Sequence, residues 1–313
     1  MPPLRQDSDA ASSVLERTRA TYQRQGLAFA LWLKQWGLRP ESADEWDDLL
    51  VEWKNAAAVS KNSFSGAVAA VEFYFPMYRG HLPWSHHVLK GMNIVHVPKH
   101  TVPMMYKYAC FFAVHFVAKR AARLGVGIVT QQLKGLRPSE MLGLRARDVS
   151  LPEEGAITNA NSTVLNLGAK TGTKAKRPQA AIVPGDHIVT ELLRRTKAVC
   201  VSLDERLFPY TLAKYNTLLR QVCSEHGLED THWSAHSPRA GFASEARAQG
   251  KSFVEIREEG RWVADSSLRI YIDVVATSQL ETDLKSSHVK QAADFAAKHI
   301  DKYLSRAVLA ASA

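Results

Sequence analysis

Residues 133–149 read LKGLRPSEMLGLRARDV, and they decide the fold of the second half of the chain. Gly135 is placed to end one helix, and Pro138 suits the first position of the next, because its fixed φ matches a helix. Arg137 then stands just before a helix N-terminus, and Glu140 falls in its first turn. Unpaired backbone N–H groups and the positive end of the helix dipole favour an anion there. The stretch therefore predicts an anion site beside an arginine.

A second arginine lies in a similar setting in residues 235–250, AHSPRAGFASEARAQG. Ser237 is predicted to cap a helix that begins with Pro238, so that His236 and Arg239 flank its N-terminus. A planar guanidinium group can bind two non-bridging phosphate oxygens and stabilise the charge that develops on them. The pattern therefore predicts a second phosphate contact.

The third stretch, residues 259–273, reads EGRWVADSSLRIYID and contains Trp262 and Tyr271, nine residues apart. The indole N–H of Trp262 is a hydrogen-bond donor, and the hydroxyl group of Tyr271 can act as a nucleophile. One such stretch alone is weak evidence, but the order and spacing of all three are specific. Together they indicate phosphoryl transfer on DNA.

In this order, the three stretches resemble the motifs of the tyrosine recombinases of the phage-integrase type. That family has a GLRxxE-like box, an HxxR box, a histidine or tryptophan in a GH- or GRW-like box, and a tyrosine about nine residues later. Its catalytic lysine lies on a β-hairpin between the first two boxes, where this chain reads VLNLGAKTGTKAKRPQAAIV at residues 164–183. The chain departs from many relatives at Ala240, where they carry histidine after the second arginine.

The resemblance implies a catalytic set whose members have positions in this chain: Arg137, Lys170, His236, Arg239, Trp262 and Tyr271. Lys174 is the second choice for the catalytic lysine, because the turn of the hairpin cannot be placed to one residue. Glu140 is expected to orient a neighbouring basic group. The other basic residues of the same turn are expected to contact DNA: Lys174, Lys176 and Arg177.

The function that the resemblance implies is cleavage and rejoining of DNA strands through a 3′-phosphotyrosyl intermediate, in a site-specific recombinase or integrase. That reaction needs no metal ion, ATP or other cofactor. Double-stranded DNA is the expected partner. The protein is expected to form a homotetramer on DNA, and the free protein can be a monomer. Three other interpretations remain: a type IB topoisomerase, a catalytically silent recombinase-derived DNA-binding protein, and a basic helical protein without a nucleic-acid role.

Charge and cysteine content agree with an intracellular DNA-binding protein that does not enter membranes. Lys and Arg number 40 against 31 Asp and Glu, a net charge of +9 that suits a polyanionic partner. Three cysteines are too few for a disulfide framework, which fits a protein of a reducing compartment. The first thirteen residues lack the apolar core of a secretory signal. The nucleus and the bacterial cytoplasm both remain open as its location. No zinc site is expected, because the candidate ligands match no zinc motif: Cys223, His226, His232 and His236.

Periodicity predicts a mainly α-helical protein with a small antiparallel β-sheet, in two domains. Residues 14–94 are predicted to form a helical domain, which the resemblance assigns to clamping DNA. Residues 95–103, VHVPKHTVP, contain two prolines and are predicted to be a linker. Residues 104–313 form the predicted catalytic domain, in which alternating residues over 157–183 indicate the sheet.

Within the predicted catalytic domain, helices are expected over residues 104–124, closed by Gly125, and over 127–134, closed by Gly135. The C-terminal tail, from about residue 286, is predicted to be an amphipathic helix. One face of it carries apolar residues at steps of three or four: Val289, Ala293, Ala296, Ile300 and Leu304. This face needs a partner, which is either the helix's own domain or a neighbouring protomer.

Overall fold

The computed structural model describes residues 16–95, 101–154, 161–168, 178–263, 265–269, 271–272 and 287–310. These residues are mostly helical with a three-stranded antiparallel sheet, which confirms the predicted fold class. The chain divides into two compact units, Met1–Lys99 and His100–Ala313. The exact bounds of the two predicted domains, and of the linker between them, stay predictions.

The first unit is a small helical bundle. Its helices are α1 (Glu16–Gln35), α2 (Ala43–Ala56), α3 (Lys61–Tyr74) and α4 (Pro83–Val95). Each helix turns an apolar stripe inward, and the buried side chains form one aromatic-rich core: Phe29, Leu33, Leu50, Trp53, Phe64, Val68, Val71 and Leu82. Burying apolar surface stabilises such a unit by about 25 cal/mol for each Å² that is removed from water.

Polar side chains in the first unit cap its helices. The hydroxyl group of Ser42 accepts the backbone N–H of Glu45 at 3.3 Å, so α2 begins with the capping spacing that the sequence indicates. Asp47 is buried, and its carboxylate accepts the N–H groups of Trp84 and Ser85 at the start of α4, both at 2.7 Å. These bonds satisfy donors that a helix N-terminus leaves unpaired.

The second unit combines helices with the sheet. Its elements in chain order are α5 (Tyr106–Ala118), α6 (Ala122–Leu133), α7 (Pro138–Gly143), β1 (Val149–Ser150), β2 (Ser162–Leu167), β3 (Gln179–Pro184), α8 (Ile188–Ala198), α9 (Leu212–Glu225), α10 (Ser237–Ala248), α11 (Phe253–Gly260), α12 (Asp265–Arg269) and α13 (Ser287–Ala310). Helix α5 runs through the centre of the core, as its apolar sequence indicates, with Tyr108, Phe112 and Phe116 fully buried. No helix in the described ranges is both long and apolar enough to cross a bilayer.

The sheet has the strand order β1-β2-β3, and both pairs are antiparallel. In the pair β2 and β3, Leu165 lies opposite Ala181 and Thr163 opposite Val183. Along β3, Ala181 and Val183 are buried while Ala180, Ile182 and Pro184 are exposed, so one face of the strand covers the core. The antiparallel pair agrees with the hairpin that the sequence predicts in this part of the chain.

The prediction that Gly125 ends a helix is wrong. The break comes earlier, at residues 119–121, where Arg120 has a φ of 55°, and Gly125 lies inside α6. A Cβ atom at Gly125 would lie 2.9 Å from the carbonyl oxygen of Ala113 in α5. This glycine therefore allows α5 and α6 to approach closely, whereas Gly135, with a φ of 56°, follows the end of α6 as predicted.

The C-terminal helix α13 packs on its own unit. Its predicted apolar face is buried in the core against α5 and α8: Val289, Ala293, Ala296, Ile300 and Leu304. The sequence left two partners open for this face, and in the structure it packs on the helix's own domain. Phe295 and Tyr303 of the same helix are exposed.

Candidate active site

Arg137 occupies the N-cap position of α7, just outside the helix as predicted. Its backbone N–H donates to Oε2 of Glu140 at 2.8 Å, and its guanidinium group forms an ion pair with Oε1 of the same carboxylate. Pro138 starts the helix and thereby sets the direction of the chain at this point. Both ends of Arg137 are therefore held by one first-turn glutamate.

Arg239 lies in the first turn of α10, and its residue is only 1% exposed. Its guanidinium carbon is 3.8 Å from the centroid of the Trp262 ring, and Nη1 donates to the carbonyl oxygen of Gly135. Nη2 is buried, and within the described part of the chain it has no hydrogen-bond partner. A buried guanidinium group with an unsatisfied donor favours a bound anion.

The rings of Trp262 and Tyr271 pack together beside Arg239. Their centroids are 5.6 Å apart, and the guanidinium carbon of Arg239 is 6.0 Å from the centroid of the Tyr271 ring. Trp262 is stacked on Phe242 of α10, and the carbonyl oxygen of Tyr271 accepts the hydroxyl hydrogen of Ser244 from the same helix. Trp262 and Phe242 belong to one apolar cluster, and the half-buried Tyr271 packs against it beside the arginine.

Gly260 is required for the position of Trp262. An added Cβ atom at Gly260 would lie 1.7 Å from Cζ3 of the Trp262 indole, so the ring folds back over a place where only glycine fits. The GRW sequence therefore places the indole against the end of α11.

His236 is exposed and stands at the N-cap position of α10, three residues before Arg239. The helix begins at Ser237, one residue earlier than predicted, and the hydroxyl group of Ser237 accepts the N–H of Ser234 instead of capping the helix. The structure thus places His236 at the start of the helix that carries Arg239, with its side chain facing solvent.

The predicted basic turn lies outside the described residues. It falls between β2 and β3 in the sequence, and it contains Lys170, Lys174, Lys176 and Arg177. The prediction of Lys170 as the catalytic lysine, with Lys174 as the alternative, and of DNA contacts by this turn therefore stays a prediction.

A further buried arginine, Arg261, lies in the site, and it was not among the residues predicted from the sequence. Its residue is 7% exposed, and its Nη2 atom is 3.6 Å from Oε2 of Glu140. Lys134 and Glu259, also near the site, form an ion pair at 2.8 Å. The only sequence signal for Arg261 is its position beside Trp262, since its burial depends on tertiary packing.

The electrostatics of the site follow from burial and from an excess of cations. Burial lowers the pKa of Arg239, and the charge of Arg137 lowers it further. For Glu140, burial raises the pKa, but the hydrogen bond from Arg137 and the charge of Arg261 outweigh it, so the net pKa is lowered. Three guanidinium groups thus surround one ionised carboxylate, and the remaining positive charge lies in a poorly solvated region. Such a region can bind a phosphodiester and stabilise additional negative charge on it.

The described residues contain no group of three or more His, Cys, Asp or Glu side chains that could hold a metal ion. Of the four candidate zinc ligands, Cys223 is buried, and burial raises the pKa of its thiol to about 11. The ring of His226 packs against Phe111 and His115. Cys223 and His226 are therefore both packed against neighbouring side chains.

No protein-family model and no curated protein matches the chain. Solved structures do match. The XerH site-specific recombinase, bound to its difH substrate in a pre-cleavage complex, is similar over 85% of this chain and 79% of that chain, with 15% identity and a TM-score of 0.54. The Tn1549 transposon integrase, in complex with transposon right end DNA, is similar over 86% of this chain and 94% of that chain, with 12% identity and a TM-score of 0.56. The chain has the tyrosine recombinase fold.

The tyrosine recombinase fold agrees with the resemblance found in the sequence. Within this fold, the structure brings Arg137, Glu140, Arg239, Trp262 and Tyr271 together from α7, α10 and the segment after α11. The motifs and the fold are separate observations, since the motifs are short stretches and the fold likeness extends over most of the chain.

Proposed function

We propose that this protein is a site-specific tyrosine recombinase or integrase, which cleaves and rejoins DNA strands through a 3′-phosphotyrosyl intermediate. The observation that carries the proposal is the packing of Arg239 against Trp262 and next to Tyr271. A cation with an unsatisfied donor and a tyrosine that can serve as nucleophile are thus held within one cluster. The DNA complexes of the two similar structures support DNA as the substrate.

In the proposed cleavage step, the hydroxyl oxygen of Tyr271 attacks the scissile phosphorus, and the bond from phosphorus to the 5′-oxygen breaks. His236 accepts the tyrosine proton, and Lys170 or Lys174 donates a proton to the leaving 5′-oxygen. The guanidinium groups of Arg137 and Arg239 bind the non-bridging oxygens, and the indole N–H of Trp262 donates to one of them.

Rejoining is the reverse reaction. A 5′-hydroxyl group attacks the phosphotyrosyl phosphorus, the bond to the Tyr271 oxygen breaks, and the tyrosine recovers its proton. The number of phosphodiester bonds is conserved, so the steps need neither ATP nor a metal ion. Exchange between two duplexes requires four active sites, and we propose a homotetramer on DNA for that step. The proposed setting is intracellular.

The test is covalent capture on a suicide substrate, a duplex with a nick beside the cleavage site, analysed on a denaturing gel. Wild-type protein is expected to give a slowly migrating protein–DNA band. Tyr271→Phe is expected to give none, while its DNA affinity stays unchanged, because only the nucleophilic hydroxyl group is removed. Tyr303→Phe, in α13, is the matched control and is expected to capture DNA like wild type.

The same assay separates the remaining interpretations. A covalent band from Tyr271→Phe would contradict the assignment of the nucleophile. Binding without any covalent band from wild type would indicate a silent DNA-binding protein. Capture combined with relaxation of supercoiled plasmid of any sequence, and without joining of two specific sites, would indicate a type IB topoisomerase.

A further inference from the structure

Arg261 has an unusual backbone conformation for its residue type. It follows the end of α11 with φ 58° and ψ 44°, in the left-handed region that favours glycine. Its side chain is buried at the same time, so a strained backbone and a desolvated charge occur in one residue. Such a combination persists where surrounding contacts determine it, and these sites are enriched in functional centres.

The contacts of the Arg261 guanidinium group connect three parts of the second unit. Nη1 donates to the carbonyl oxygen of Glu259 at the end of α11, at 3.0 Å. Nη2 donates to the carbonyl oxygens of Lys134 at 3.2 Å and Gly135 at 3.4 Å, in the turn before α7. Nη2 also lies 3.6 Å from the carboxylate of Glu140, in the first turn of α7.

Two of these acceptors are shared with the arginines of the candidate site. The carbonyl oxygen of Gly135 also accepts a hydrogen bond from Arg239, and the carboxylate of Glu140 is also paired with Arg137. Arg261 thus contacts one acceptor of each arginine. Among the described residues, no other cation contacts both acceptors.

We propose that Arg261 is a positioning residue for DNA cleavage, which holds Glu140 and the Gly135 carbonyl group so that Arg137 and Arg239 face the same phosphate. This inference rests on the proposed function. The physical reason is competition for one carboxylate. With Arg261 present, Glu140 divides its negative charge between two cations, and Arg137 keeps donors for the phosphate. Without Arg261, Glu140 binds Arg137 alone, and the Gly135 carbonyl group is held by Arg239 alone.

The test compares Arg261→Gly with Arg261→Lys. Glycine adopts the left-handed backbone without strain and removes the guanidinium group. Lysine keeps the charge near Glu140 but lacks the planar fork that reaches two carbonyl oxygens. The matched control is Arg120→Gly, because Arg120 is an exposed arginine with nearly the same φ, 55°. Thermal unfolding, the Kd for DNA and the single-turnover rate of covalent capture are measured for each protein.

We expect Arg261→Gly to capture DNA about 100-fold more slowly than wild type, as a displacement of about 1 Å between reacting groups does, with the Kd for DNA unchanged within about twofold. Arg261→Lys is expected to be intermediate, and Arg120→Gly to equal wild type. Millimolar guanidinium chloride is expected to restore part of the rate to Arg261→Gly, while sodium chloride at equal ionic strength does not. Such rescue would not follow from a role in folding alone.

Each other result would overturn the inference. Wild-type rates for Arg261→Gly would show that Arg261 plays no part in cleavage, and the proposed function would stand. If the glycine variant does not fold, Arg261→Lys decides: a folded lysine variant with the wild-type rate contradicts the positioning role. Loss of folding in both variants would assign Arg261 to stability alone. A wild-type protein that never captures DNA would overturn the proposed function and this inference together.

Discussion

A buried carboxylate in the first unit and two buried arginines in the second unit differ in how their hydrogen bonds are satisfied. In the described part of the first unit, the buried polar residues are Asp47 and Ser85. The Asp47 carboxylate caps α4 with two hydrogen bonds of 2.7 Å, while the hydroxyl oxygen of Ser85 has no hydrogen-bond partner among the described residues. In the second unit, Arg239 and Arg261 are buried cations, and each has a nitrogen atom without a hydrogen-bond partner among the described residues.

This difference distinguishes a buried polar group that stabilises the fold from one that can bind a ligand. A capped helix lowers the free energy of the folded state, because donors that would lose water gain an acceptor. A buried guanidinium group with an unsatisfied donor raises that free energy until a ligand supplies the acceptor. The second unit therefore gives up stability at the place where the proposed phosphate binds.

The largest expected effect comes from Arg239→Met. Methionine keeps much of the volume beside Trp262 but removes the charge. We expect single-turnover DNA cleavage to fall about 1000-fold, the loss typical of a donor to a developing oxyanion. The free energy of unfolding is expected to stay within about 1 kcal/mol of wild type or to rise, because a desolvated charge is removed. Denaturant unfolding and the suicide-substrate assay measure the two quantities.

Asp47→Ala is the corresponding substitution in the first unit, and the opposite effects are expected from it. It removes the acceptor for Trp84 and Ser85, and we expect it to lower the free energy of unfolding by about 1–2 kcal/mol. Cleavage by the folded fraction is expected to be unchanged. If Arg239→Met destabilised the protein as much as Asp47→Ala, the distinction between the two units would be contradicted.

A second comparison uses two glycines with positive φ. Gly135, in the turn before α7, has a φ of 56°, and an added Cβ atom would lie 2.6 Å from the ring of Phe242. Gly37, in the first unit, has a φ of 66° and no atom within 4 Å of the added position. We expect Gly37→Ala to cost about 1 kcal/mol of stability and Gly135→Ala about 3 kcal/mol, since overpacking adds to backbone strain.

The two glycine variants also differ in their expected effect on activity. Gly135→Ala moves a carbonyl group that Arg239 and Arg261 both contact, so its cleavage rate should fall more than its unfolding free energy accounts for. Gly37→Ala should leave the rate per folded molecule unchanged. Equal rates for the two variants at a temperature where both are folded would argue against a role of this turn in the site.

Much of this arrangement is predictable from local sequence rules. Pro138 and Glu140 indicate the start of α7, Ser252 caps α11 with Glu255 three residues later, and Gly135 follows the end of α6. These signals concern one turn of chain, and neighbouring residues determine them. The fold class could therefore be inferred from the sequence, whereas the meeting of the motif residues was expected from the family resemblance.

The remaining features depend on distant parts of the chain. Gly125 has the sequence signal of a helix end, but it lies inside α6 because Ala113 of α5 packs against it. Arg261 has no signal of its own, since all but one of its acceptors lie on residues 134–140. The apolar face of α13 was predictable, but the surface that buries it was not, because amphipathic periodicity does not specify a partner.

The smallest expected effect tests a polar cluster of the second unit that the proposed mechanism does not use. The rings of His115 and His226 have centroids 4.4 Å apart. Burial lowers the pKa of His115 below its ordinary value of 6.5, and the neighbouring His226 lowers it further. Below pH 6.5 the unfolded chain therefore binds a proton more readily than the folded protein does. The free energy of unfolding should fall as the pH decreases from 6.5 toward the lowered pKa.

We expect this linkage to lower the free energy of unfolding between about pH 7.5 and about pH 5.5 by less than any change described above, because the His115 side chain is partly exposed. His115→Gln should remove most of that pH dependence, and denaturant unfolding of both proteins at the two pH values measures it. The cleavage rate of His115→Gln should match wild type at neutral pH, because the change lies outside the candidate site. A pH dependence that survives the substitution would assign the titration to other groups. A large loss of cleavage would show that the second unit does not separate structural from functional polar groups as the comparison with the first unit implies.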